Sequence, residues 1–109
     1  MLTHNRLHLL RQCVTNVLER TSEETTEIVI WNNASTDGTA EFLDGLTDPR
    51  IRVVHHDTNI AQNAYAAAFA LTEAPYMIEV DDDIVDAPPR WDATLLEAFK
   101  RLPKVGYLA

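Results

Sequence analysis

An α/β fold with a mainly parallel sheet and flanking helices is predicted by three features of this 109-residue chain. Short β-branched apolar runs alternate with amphipathic helical stretches, which is the pattern of strands joined by helical crossovers. The runs are apolar throughout rather than every second residue, as in strands covered on both faces. Polar clusters follow three of them directly, where a parallel sheet places its ligands.

Leu7, Leu10, Val14, Val17 and Leu18 recur at helical spacing and predict a helix over 6–20, ended by the polar stretch 21–26. Residues 27–31 (Glu-Ile-Val-Ile-Trp) read as a buried strand and 32–38 as a loop. Ser35 and Asp37 suit the N-cap of a helix that runs to about residue 46, where Asp48-Pro49 turns the chain. A second strand follows at 51–55, then an alanine-rich helix over 62–72 broken by Ala74-Pro75. The third strand, 76–80, leads straight into Asp81-Asp82-Asp83. Pro88-Pro89 opens a helix over 91–102 with Trp91, Leu95, Phe99 and Leu102 on one face, and 105–108 begins a fourth strand.

The length suits a single domain over 1–109, and 46% hydrophobic with 24% charged residues excludes a disordered chain. A net charge of −8 argues against nucleic acid as a partner, because phosphate neutralisation needs clustered Lys and Arg. The single cysteine, Cys13, forms no intramolecular disulfide, and the chain shows no signal-peptide pattern, so a cytoplasmic setting is expected. The longest apolar run, 64–71, has eight residues against the ~20 that cross a bilayer, so no membrane-spanning segment is expected.

The acidic triplet is the sharpest chemical signal. On extended backbone Asp81 and Asp83 point the same way and Asp82 the other. Two carboxylates about 4 Å apart repel by roughly 4 kcal/mol at an effective dielectric near 20, so the pair takes up a proton or recruits a cation. Oxygen ligands favour a hard divalent cation, Mg or Mn, whose open positions diphosphate oxygens fill. Other polar residues have plainer uses: Asp37 and Ser35 as helix caps, Cys13 in packing, His55 and His56 at a solvated strand end.

Four blocks then stand in a familiar order: Thr3-His4-Asn5-Arg6; residues 30–39 (Ile-Trp-Asn-Asn-Ala-Ser-Thr-Asp-Gly-Thr); Asn59-Ile60-Ala61 with Asn63; and Asp81-Asp82-Asp83, a DxD motif. With them the chain resembles the family 2 glycosyltransferases, GT-A-fold enzymes that move a sugar from a nucleotide-diphosphate sugar donor to an acceptor. The resemblance implies a Rossmann-like donor-binding half. Thr3, His4 and Asn5 would lie at the nucleotide, and Arg6 would steady a diphosphate. Asn32 stands where the family usually carries an Asp that accepts a hydrogen bond from uracil, and Ala61 where Gly is usual after Asn59. Asp81 or Asp82 would approach the ribose, with Asp83 and Asp81 holding the metal. Only Met1 and Leu2 precede the first block, and no residue matches the family's catalytic base, so the first strand and the acceptor-binding half are expected to lie outside this chain.

The expected function is metal-dependent, inverting glycosyl transfer, with a non-catalytic nucleotide-sugar-binding remnant as the alternative. A receiver-type signalling domain fits less well, since its acidic pair belongs after the first strand, where this chain has Asn32-Asn33.

Overall fold

Seven elements follow in the order β1 (Leu2–Thr3), α1 (Leu7–Arg20), β2 (Ile28–Asn33), α2 (Thr39–Asp44), β3 (Ile51–His56), α3 (Asn63–Phe69) and α4 (Trp91–Arg101) in a computed structural model that describes residues 1–102 and 104–106. The strands form one parallel sheet in the order β1-β2-β3, with helices packed against it; the apolar runs predict β2 and β3, whereas β1 is a two-residue strand where the sequence predicts none within this chain. Strand β2 extends two residues beyond the apolar run, because Asn32 and Asn33 still find ladder partners in His55 and His56.

The core sits between α1 and the sheet. Leu10, Cys13, Val14 and Val17 form the buried stripe of α1 and meet Ile28 and Ile30 of β2 and Leu43 of α2. Leu10 and Leu43 are fully buried, so truncating either to Ala costs about 2–5 kcal/mol. Burial also pushes the Cys13 thiol up to about 11, and the protonated Sγ donates to the Asp81 carbonyl at 3.3 Å. Cys13 is thus a packing residue that also ties α1 to the acidic triplet.

The strand expected over 76–80 is not formed among the described residues. One parallel bridge, Leu2 to Asp81, remains, and Tyr76, Met77 and Ile78 are each 40% exposed or more. A strand needs a neighbour to take its main-chain bonds. β1 is two residues long and its one bridge falls at Asp81, just past this segment, so apolar composition alone does not make residues 76–80 a paired strand. Tyr76 instead packs edge-on against Phe99 of α4, ring centroids 5.8 Å apart. Helix α3 ends at Phe69, short of the predicted limit, while α4 matches its predicted span within a residue. Of the fourth strand expected at 105–108, residues 107 and 108 lie outside the described residues, and Val105 and Gly106 are irregular.

Helix α4 is locked to the end of α1 by one buried carboxylate. Asp92 accepts from the Ser22 amide at 2.9 Å, the Ser22 hydroxyl at 2.7 Å and the Thr25 hydroxyl at 2.7 Å, while the Arg90 amide bonds the Arg20 carbonyl at 2.7 Å. Burial disfavours the Asp92 charge, but the bonds from Ser22 and Thr25 outweigh it and hold the carboxyl below its ordinary range.

A carboxyl with a depressed folded-state pKa contributes stability that is present above its unfolded value, about 3.9, and lost as pH falls through the folded one. Thermal unfolding followed against pH is therefore expected to show a flat stability above about pH 5 and a decline below about pH 4 that Asp92→Asn flattens. At neutral pH Asp92→Ala is expected to cost about 2–4 kcal/mol in urea unfolding, since it strands three donors, two of them on buried Ser22. Ala34, held at φ 61° without being glycine, predicts the opposite sign: Ala34→Gly is expected to stabilise by about 0.5–1 kcal/mol in the same assay.

Candidate functional site

A cleft of about 340 Å³ opens at the carboxyl edge of the sheet. That volume lies within the range of small-molecule sites, about 300–1,000 Å³. The first block contributes His4 and Arg6, the loop after β3 contributes Asn59 and Ala61, and Asp81 and Asp82 close the far side. Asn33 and Tyr65 also line it, and neither figures among the predicted site residues. Thr3, Asn5, Asn32 and Asp83 are not part of its lining. A larger groove, about 440 Å³, runs along the outer flank of α1 beside Arg11, Thr15 and Glu19, away from the strand ends.

Alternation along β2 decides the roles of the adjacent asparagines, since neighbours on a strand face opposite sides. Asn32 shares the face of Ile28 and Ile30. Its Oδ1 accepts from the Ser35 amide at 3.0 Å and its Nδ2 donates to His55 Nδ1 at 3.1 Å. His55 Nε2 in turn donates to Asp44 Oδ1 at 3.0 Å, so His55 belongs to a network rather than to a bare strand end. Asn33 faces the cleft side. Its Nδ2 donates to Asn59 Oδ1 at 2.7 Å and to the Ala61 carbonyl at 3.4 Å, and its Oδ1 accepts from the Ile60 amide at 3.0 Å.

The Asn33 carbonyl also accepts from His4 Nδ1 at 2.7 Å. A carbonyl only accepts, so the neutral ring carries its proton on Nδ1 and accepts at Nε2 from the Asn5 side-chain Nδ2, 3.3 Å away. Asn5, at φ 53°, staples the first block to the loop after β2: its amide donates to Ser35 Oγ and its Oδ1 accepts from the Thr36 amide at 2.7 Å. Asp37 completes that staple. It accepts from the Leu7 amide at 2.9 Å, capping α1 from 30 residues away, and from the Thr39 hydroxyl at 2.6 Å. Burial opposes its charge, but these bonds prevail and lower its pKa. Thr3 is buried, with no partner for its hydroxyl among the described residues.

The acidic triplet is a turn, closed by the Ile84 amide on the Asp81 carbonyl, and so departs from the alternation of an extended strand. Asp82 and Asp83 therefore share one partner. Arg6 Nη1 lies 2.9 Å from Asp82 Oδ1 and Nη2 lies 2.8 Å from Asp83 Oδ2. The cation that relieves this pair is thus part of the chain. The bond to Asp83, followed by the field of Asp82, raises the Arg6 pKa further. The Asp82 side chain is only 5% exposed, whereas Arg6 at 44% presents its guanidinium at the cleft. Asp81 receives the Tyr65 hydroxyl at 3.4 Å. Burial, then the acidic Glu79 and Asp81, push that hydroxyl up to about 12, so it stays a donor.

No residue pattern announced Asn33 or Tyr65. Tyr65 reads as one turn of an alanine-rich helix, and Asn33 is separated from Asn32 only by the face of the sheet it occupies.

Among the described residues no helix is long and apolar enough to cross a membrane. No curated protein and no solved structure matches the chain. The family model Glycosyl transferase family 2 does, over residues 1–109. A parallel α/β sheet whose carboxyl edge gathers the four blocks, matched by that model from end to end, places this chain in glycosyl transferase family 2.

Proposed function

We propose that the cleft binds a nucleotide-diphosphate sugar for inverting glycosyl transfer, together with a divalent cation at Asp83 and Asp81. The observation that carries this reading is the convergence of Arg6, His4, Asn59 and two carboxylates on one cleft at the carboxyl edge of a family 2 sheet. In this reading His4 serves the base end, with Thr3 and Asn5 supporting it from outside the cleft lining, and Asn59, Asp81 and Asp82 serve the ribose. Asn32 acts through Ser35 and the loop it holds.

The donor set suits Mg or Mn. Carboxylate oxygens are hard ligands, but no group of three His, Cys, Asp or Glu residues stands close enough to cage a metal among the described residues. Asp83 and Asp81 would supply the one or two carboxylates by which Mg is usually held. Bound there, it neutralises diphosphate charge and acts as a Lewis acid. The chain's own contribution is positional: Arg6 adds a second positive charge, Tyr65 keeps a proton on the Asp81 side, and the His4 ring is held in one orientation by the Asn33 carbonyl. These groups set the donor so that an acceptor hydroxyl, giving up its proton to a base that no residue here matches, would attack the anomeric carbon opposite the departing diphosphate.

A second reading has its own observation. Arg6 already supplies a cation to Asp82 and Asp83, which favours a metal-free, non-catalytic nucleotide-sugar-binding cleft.

Calorimetry of uridine diphosphate binding with and without Mn separates the two. Donor binding is expected to require Mn and to weaken at least about tenfold, or 1.4 kcal/mol, in Asp83→Ala. Absence of binding with Mn, or Asp83→Ala binding as the wild type does, overturns the metal-assisted reading, and binding indifferent to Mn supports the second. Arg6→Ala leaves the buried Asp82 carboxylate unpaired and is expected to cost about 1–3 kcal/mol in urea unfolding.

A further inference from the structure

We propose that Asn33 is a positioning residue: its buried carboxamide locks the Asn59-Ile60-Ala61 wall of the cleft, and an amide rather than a carboxylate is required there. The functional consequence rests on the donor-site reading above.

The atoms leave little choice. Asn59 Oδ1 already accepts from the Ala61 amide at 2.8 Å, so Asn59 presents an acceptor to Asn33. Asn33 must answer with a donor, its Nδ2, which also reaches the Ala61 carbonyl. That orientation turns Oδ1 toward the Ile60 amide. Both side-chain amides are thus oriented by main-chain donors, and three consecutive residues hang on one side chain that is 2% exposed. A carboxylate at this position serves Ile60 but sets its second oxygen against two acceptors, Asn59 Oδ1 and the Ala61 carbonyl.

The backbone carries the mark of this lock. Ala61 is held at φ 51°, a conformation a residue with a Cβ keeps only where its surroundings over-determine it. The Asn33 carbonyl meanwhile holds His4, which also lines the cleft. One residue therefore bonds cleft-lining groups from both the first block and the loop after β3, by its carbonyl and by its side chain.

Amide hydrogen exchange on the full chain tests the lock. In Asn33→Asp, exchange at Ala61 is expected to rise tenfold or more at neutral pH, because Asn59 turns its amide to the new carboxylate and abandons the Ala61 amide. The β2–β3 ladder amides keep their wild-type rates. Protection at Ala61, corrected for the intrinsic rate, is expected to return as pH falls through the carboxylate range, where the protonated carboxyl regains a donor. Unchanged exchange at Ala61, or a rise that ignores pH, overturns the proposal. Should Asn33→Asp fail to fold, Asn59→Ala at the exposed wall carries the test: faster exchange at Ala61 with Ile60 still protected supports the lock, and unchanged Ala61 overturns it. Uridine diphosphate with Mn keeps the two questions apart. Wild-type failure to bind it overturns the donor-site reading while Ala61 exchange still decides the lock; where the wild type binds, Asn33→Asp is expected to bind at least tenfold more weakly.

Discussion

Two buried asparagines at the end of β2 hold the carboxyl edge of this sheet together. Each has to satisfy its amide group away from water, where an unpaired polar group costs about 1–3 kcal/mol. Because they are neighbours on a strand, they do so on opposite faces. Asn32 organises the loop after β2 through Ser35 and reaches Asp44 through His55, while Asn33 organises the loop after β3 and the His4 ring. The cleft exists because these loops are fastened to the strand and to each other. Asn5 and Asp37 add the cross-links that bring the start of α1 into the same assembly.

The distribution of charge follows from that arrangement. A chain of net charge −8 concentrates three acids in one turn, and the fold sets against them the first residue after the β1 loop's staple, Arg6. The guanidinium bridges Asp82, which is buried, and Asp83, which is not. Buried carboxylates call for a partner, and Arg provides a planar fork that contacts both. Asp81 is treated separately: its carboxylate accepts from the Tyr65 hydroxyl and its main-chain carbonyl from the Cys13 thiol. The acidic triplet is consequently three different environments rather than one uniform ligand.

Much of the fold was legible along the chain. The stripe Leu10, Val14 and Val17 names its own helix, the apolar run at 28–30 names a covered strand, and Trp91 to Phe99 names α4, because periodicity of 3.6 or 2 is a property of neighbours in sequence. Residues 76–80 have the composition of a strand, but the one bridge to β1 falls at Asp81, and pairing is a property of two segments. The cap of α1 was illegible for the same reason: Asp37 reads as a cap for its own helix, yet one of its oxygens serves Leu7.

At the site, the sequence by itself determined the family blocks, the parallel α/β class and the presence of acids, asparagines and a histidine after the strands, since these depend on residue order and local pattern. Tertiary structure decided which of them meet. It turned Asp82 and Asp83 toward Arg6 and buried Asn32 away from the cleft. It also made Asn33, one position along, the residue that bonds both His4 and the loop after β3. The reason is physical: residue order sets which faces alternate, but only packing sets which face is covered by a helix and which opens on a cleft.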